Sequence, residues 1–160
     1  MLGLAAAAAA GGGGGATQDL AIEDMYIFEF DNSFDLKNLE RFDKYKSKFP
    51  LPGMPLPFPI FYSYYVKERG GFDYEFYQKN PDNSQAAIYF MDYERRAGEA
   101  NNTVLGAIFA SKDGYTTDKF DLPKSADVTS VFPGTFGSVV TVNYFRKLRS
   151  LDIQIVKLNY

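Results

Sequence analysis

The sequence predicts a mainly β chain of α+β class: an antiparallel β-sandwich or barrel with one α-helix and a low-complexity N-terminal arm. Three observations carry this. Alternating apolar and polar runs recur from Phe58 almost to the end, punctuated by Gly, Asn, Asp and Pro. Aromatic residues make up 17% of the 160, as 15 Phe and 12 Tyr with no Trp, and aromatics suit a pleated, half-buried surface. Only one segment has clear helical spacing. A chain of this length buries one core, so the division expected is an arm over 1–20 and a single β-rich domain over 21–160.

The arm runs Met-Leu-Gly-Leu, then Ala5 to Ala10, then Gly11 to Gly15. It lacks the positive region of a signal peptide, and its apolar part is too short to span a bilayer. Composition reads it as disordered when isolated. Alternatively, a short Ala-rich helix on a glycine hinge inserts into a close-packed groove of a neighbouring subunit, since neither residue has bulk. On that reading Leu2, Leu4, Gly11 and Gly13 are assembly contacts.

Ile22 to Phe30 reads as a strand with Tyr26, Phe28 and Phe30 on one face. Asn32-Ser33 then caps a helix over Phe34 to Phe49, where Leu36, Leu39, Phe42, Tyr45 and Phe49 recur at three and four residues. Pro50 stops it. Five prolines from Pro50 to Pro59 make an extended run, read as a stiff connector or as a polyproline motif for an aromatic groove. Pro52 and Pro55 are its candidate contacts.

From Phe58 the reading is β. A strand over Ile60 to Val66 turns at Arg69-Gly70-Gly71 into another containing Phe72, Tyr74 and Phe76. Asn80 to Asn83 breaks the run. Ala86 to Glu94 fits either period and is taken as a strand, because aromatics dominate it. Val104 to Ala110 follows, with a hairpin at Lys112-Asp113-Gly114 into Tyr115 to Phe120. Val128 to Phe132, Gly137 to Phe145 and Leu151 to Tyr160 complete a set of strands suited to a sandwich or barrel.

Net charge is −3 and both Cys and His are absent. That removes disulfides, thiolate or imidazole zinc sites, and Ser-His or Cys-His nucleophiles. There is no basic field for nucleic acid. Acid–base chemistry is left to carboxylates, of which Asp73, Glu75, Asp92 and Glu94 are the obvious ones. Asp73 and Glu75 share a strand face, the ordinary look of a solvated surface, and no enzyme activity, cofactor or metal is expected. Charge is also blocked. Asp19, Glu23, Asp24, Glu29, Asp31 and Asp35 precede any basic residue, then Lys37, Arg41, Lys44, Lys46 and Lys48 follow. These are solvated faces, or subunit faces of opposite sign that set a register.

The stretch Val131-Phe132-Pro133, Gly137, Val139 to Tyr144, the turn Arg146 to Ser150, and Leu151 to Asn159-Tyr160 resembles the end of contractile phage tail tube and baseplate tube proteins. Leu51-Pro52-Gly53 resembles a Leu-Pro-Gly element of that family. The resemblance implies a virion structural protein: a β-barrel subunit that forms homo-oligomeric, six-fold rings with other tail proteins around a channel. DNA is then only passing cargo, with no membrane and no small-molecule substrate. It implies a protein soluble before assembly, and makes Tyr160 an assembly contact. The alternative is a binding module presenting its proline-rich or aromatic surface to a protein or glycan. A third reading is a carboxylate hydrolase acting on glycans.

Overall fold

Strand Leu2–Ala10 (β1) pairs antiparallel with the twelve-residue strand Asp19–Phe30 (β2), which the first half of the chain is built around. The computed structural model describes residues 2–10, 19–51, 59–69, 71–94 and 102–159, and they divide into two compact units, 1–72 and 73–160. The segment expected as a low-complexity arm therefore contributes a strand to the first unit.

The other edge of β2 is shared end to end. Leu36–Phe42 (β3) pairs with Met25 to Phe30, and Ser47–Pro50 (β4) pairs with Asp19 to Ile22. Between these stretches β2 carries an extra residue relative to β1, a bulge at Glu23-Asp24. A bulge reverses side-chain alternation. Leu20 and Ile22 are buried before it, Met25 and Ile27 after it. Tyr26, Phe28 and Phe30 share the half-buried opposite face.

The helix expected over 34–49 is absent. Its apolar spacing arises from two short strands with a loop between them, and Leu36 and Leu39 are exposed. The local choice is made by Asp31, whose Oδ1 accepts the N–H groups of Ser33 (2.9 Å) and Asp35 (3.0 Å). That closes a tight turn instead of capping a helix. The long open edge of β2 then takes the returning chain as a strand.

The helix lies elsewhere, at Pro59–Glu68 (α1), where the pattern predicts a strand. Proline suits the first helical position, where no N–H is needed. Tyr62, Tyr65 and Val66 recur at three and four residues and pack with Leu20, Ile22, Leu51, Phe49 and Phe72. The expected hairpin at 69–71 is instead the helix exit, with the Gly71 N–H donating to the Val66 carbonyl at 2.8 Å. Phe49 lies against Gly71 where any Cβ would clash, and meets Tyr65 edge to face at 5.9 Å.

The second unit is two consecutive meanders. Tyr74–Lys79 (β5), Ala86–Glu94 (β6), Asn102–Ser111 (β7) and Gly114–Asp121 (β8) form one antiparallel sheet in chain order. Val128–Pro133 (β9), Ser138–Phe145 (β10) and Ser150–Lys157 (β11) form a second. The β7–β8 turn uses Gly114 at φ 118°, a conformation open mainly to glycine. The sheets pack face to face as a sandwich. Ala87, Tyr89, Leu105, Ala107 and Phe109 meet Val131, Val139 and Val156. Rings run through this layer in a line, Phe76 to Tyr89 at 4.6 Å, Tyr89 to Phe109 at 6.4 Å and Phe109 to Phe136 at 6.2 Å. Among the described residues the fold is mainly β with one helix, as expected, and the helix is displaced. Among the described residues no helix is long and apolar enough to cross a membrane.

Candidate assembly surface

Strand β10 divides into Val139, Thr141 and Asn143 on one face and Val140, Val142 and Tyr144 on the other. Strand β11 divides into Asp152, Gln154 and Val156 against Leu151, Ile153 and Ile155. By pattern alone the more apolar set on each strand is the core face. The structure points it outward. Val139, Thr141 and Asn143 are fully buried, while Leu151, Ile153 and Ile155 are 64, 65 and 73% exposed.

Register lays the outer face out as a grid. Its rows are Val128, Tyr144 and Leu151; Ser130, Val142 and Ile153; and Phe132, Val140 and Ile155. Eight of these nine positions are apolar, and Val128 and Phe132 are also more than half exposed. At ordinary strand spacings the grid covers about 14 by 20 Å, on the order of 300 Å², the lower end of the range for the largest apolar patch on a monomer, which is often a functional one. One end is basic. The β10–β11 turn carries Arg146, Lys147 and Arg149 around Leu148, itself 75% exposed, and none of the three cations forms an ion pair among the described residues.

The inner face is mixed, with Thr129, Thr141 and Asn143 beside the core residues Val131, Val139 and Val156. The Thr129 hydroxyl donates to Asn143 Oδ1 at 2.9 Å, but Asn143 Nδ2 and Thr141 Oγ1 find no partner among the described residues. Each buried unpaired group costs about 1–3 kcal/mol. A slip of one residue would bury the apolar set and relieve this cost, so the observed register is held against the hydrophobic pattern by the rest of the unit. Thr129 also lines a cleft of about 470 Å³ with Met91, Tyr93, Thr103 and Lys124.

The carboxylates named from sequence serve the sheet. Asp92 is buried on β6, accepting from Lys119 Nζ at 2.8 Å and from the Tyr93 N–H at 2.8 Å, with Glu94 at 3.7 Å from the same lysine. Asp73 precedes β5 at φ 59° and accepts from the Tyr93 hydroxyl at 3.4 Å. Burial, then the Asp73 charge, pushes Glu75 above the usual carboxylate range, and the same two causes raise the Tyr93 phenol. Ion pairs link the blocks of opposite charge within the first unit. Arg41 pairs with Asp24 at 2.8 Å, Lys46 with Glu23 at 2.7 Å and Lys37 with Asp31 at 3.0 Å.

Of the expected assembly contacts, Leu2 and Leu4 lie on β1 opposite Glu29 and Ile27. Gly11, Gly13, Pro52, Pro55 and Tyr160 lie outside the described residues. Sequence reasoning misses the outer face of β9–β11. Its signal is present as the alternation Leu151, Ile153, Ile155, but alternation says which residues share a face and not which face turns inward.

A family profile matches residues 1–159. The chain belongs to DUF6770, a family of unknown function. No curated protein and no solved structure matches it. The functional reading therefore rests on the chain's own geometry, above all the apolar grid on the outer face of β9–β11.

Proposed function

We propose that this DUF6770 protein is a structural subunit that assembles with copies of itself through the outer face of β9–β11, and that it has no catalytic role. The observation that carries the reading is the inversion of that sheet. A lone soluble sandwich gains by burying Leu151, Ile153 and Ile155 and exposing Thr141 and Asn143. The reverse arrangement makes sense where a second surface covers the outer face. The residues that resemble tail tube and baseplate tube proteins are those of this same sheet. The specific form proposed is accordingly a ring-forming subunit of a phage virion tail, soluble before assembly.

A monomeric binding module is the second reading, favoured by one feature: Ile60, Phe61 and Tyr64 stand exposed together on α1. Negative-stain electron microscopy across a concentration series separates the two. Rings or stacked tubes with a central hole are the expected result. Particles that stay at the size of one 18.0 kDa chain at every concentration would sink the assembly reading in favour of the module.

A further inference from the structure

Resting on that assembly reading, we infer that the surface complementary to the basic end of the β9–β11 face is the β2–β3 hairpin tip of a neighbouring copy, with Phe34 as its knob. The tip is closed on itself. The Phe34 N–H donates to the Asp31 carbonyl at 3.1 Å, the Asp31 N–H to the Asp35 carbonyl at 3.0 Å, and Asp31 Oδ1 takes two further N–H groups. Phe34 itself sits at φ 65° and is 68% exposed. Left-handed backbone is unfavourable for a bulky residue and free for glycine. The turn thus holds an aromatic ring in water, in a conformation where glycine would serve its geometry better. Leu36 and Leu39 continue the exposed apolar strip along β3.

Charge fits as well. Around Phe34 stand Glu29, Asp31 and Asp35 against one lysine, Lys37. At the basic end stand Arg146, Lys147 and Arg149 against two carboxylates, Asp127, whose Oδ2 is taken by the Arg146 N–H at 2.7 Å, and Asp152 on the opposite face of β11, which accepts from Gln154. An acidic apolar point thus meets a basic apolar face. The sign makes self-docking of either surface unfavourable and directs the two kinds together. Because the surfaces differ, the contact is head-to-tail and closes into rings or runs on as filaments. It also weakens with salt.

The test compares full-length variants by sedimentation velocity and thermal melting. Phe34→Gly relieves the backbone, so its Tm is expected at or above that of the wild type, while its self-association falls at least about tenfold. Arg149→Glu is expected to weaken association, and adding Asp35→Arg to it to restore association, a rescue that a merely structural role would not give. Should Phe34→Gly associate like the wild type while Ile153→Lys does not, the inference falls and the assembly reading stands. A wild type that remains monomeric overturns both.

Discussion

The two faces of the sheet β9–β11 obey opposite rules. Inward, Val131, Val139 and Val156 complete an aromatic and aliphatic core, yet the same face ends in buried Thr141 and Asn143 with polar atoms unpaired. Outward, the face is nearly all aliphatic and aromatic, with β11 and the ends of β9 in water and Val140, Val142 and Tyr144 of the central strand half-buried. The first sheet of the same unit shows no such inversion: on β6 and β7, Ile88, Phe90, Val104 and Ile108 are buried on one face and Tyr89, Leu105 and Phe109 on the other. The difference teaches that solvent polarity did not choose the outer face of β9–β11. The fold of the isolated unit needs the inner face, and the proposed assembly needs the outer one.

The contrast between the faces should be greatest at the buried ring that the inner face packs against. Tyr89→Ala, opposite the inner face, should cost about 3–5 kcal/mol of stability in a denaturant titration. Ile155→Ala, on the outer face, should change the stability of the dissociated chain by no more than about 0.5 kcal/mol. Equal losses would mean that the outer face already has a partner within the chain. Next comes the polar end. Replacing both members of the part-buried pair, Asn143→Leu with Thr129→Val, should be neutral or stabilising by up to about 1 kcal/mol, because the unpaired Asn143 amide nitrogen is removed along with the hydroxyl that bonds its oxygen. A loss well beyond that would assign Asn143 a role toward the neighbouring cleft.

The smallest effect lies on β5. Glu75 has its folded pKa raised above the ordinary 4.5, by burial first and by Asp73 second. A carboxylate raised in the fold contributes stability that is present below 4.5 and lost as pH rises through the folded value. Glu75→Gln should therefore match the wild type at pH 4 and melt slightly higher at pH 7. A variant that melts lower at pH 7 would reverse the sign and place a stabilising partner on the charged form.

Much of the second unit is legible in the sequence. Ala86–Glu94 can be read with its full bounds, because no residue in it favours a break and turn residues flank it. The hairpin at Lys112-Asp113-Gly114 is legible because glycine tolerates the positive φ it adopts. The first unit is less so. Leu36 to Phe49 carries helical spacing by coincidence, and the unpaired edge of β2 overrides it. Ile60 to Val66 alternates aromatics like a strand, but Tyr62, Tyr65 and Val66 also match a helix face, and packing against Leu20 and Ile22 settles the choice. Both errors are competitions between local patterns decided by tertiary partners. The site is half legible. Pattern places the grid residues on strands, but their outward turn depends on how the two sheets pack, which no single strand encodes.

The most direct test of the outer face as a contact surface is sedimentation of the wild type beside Ile153→Lys over a concentration series, with melting temperatures measured on both. The wild type is expected to associate as concentration rises and the variant to stay a monomer, while the two dissociated chains melt alike. Wild type and variant sedimenting identically, whether both monomeric or both assembled, would contradict the proposed contact.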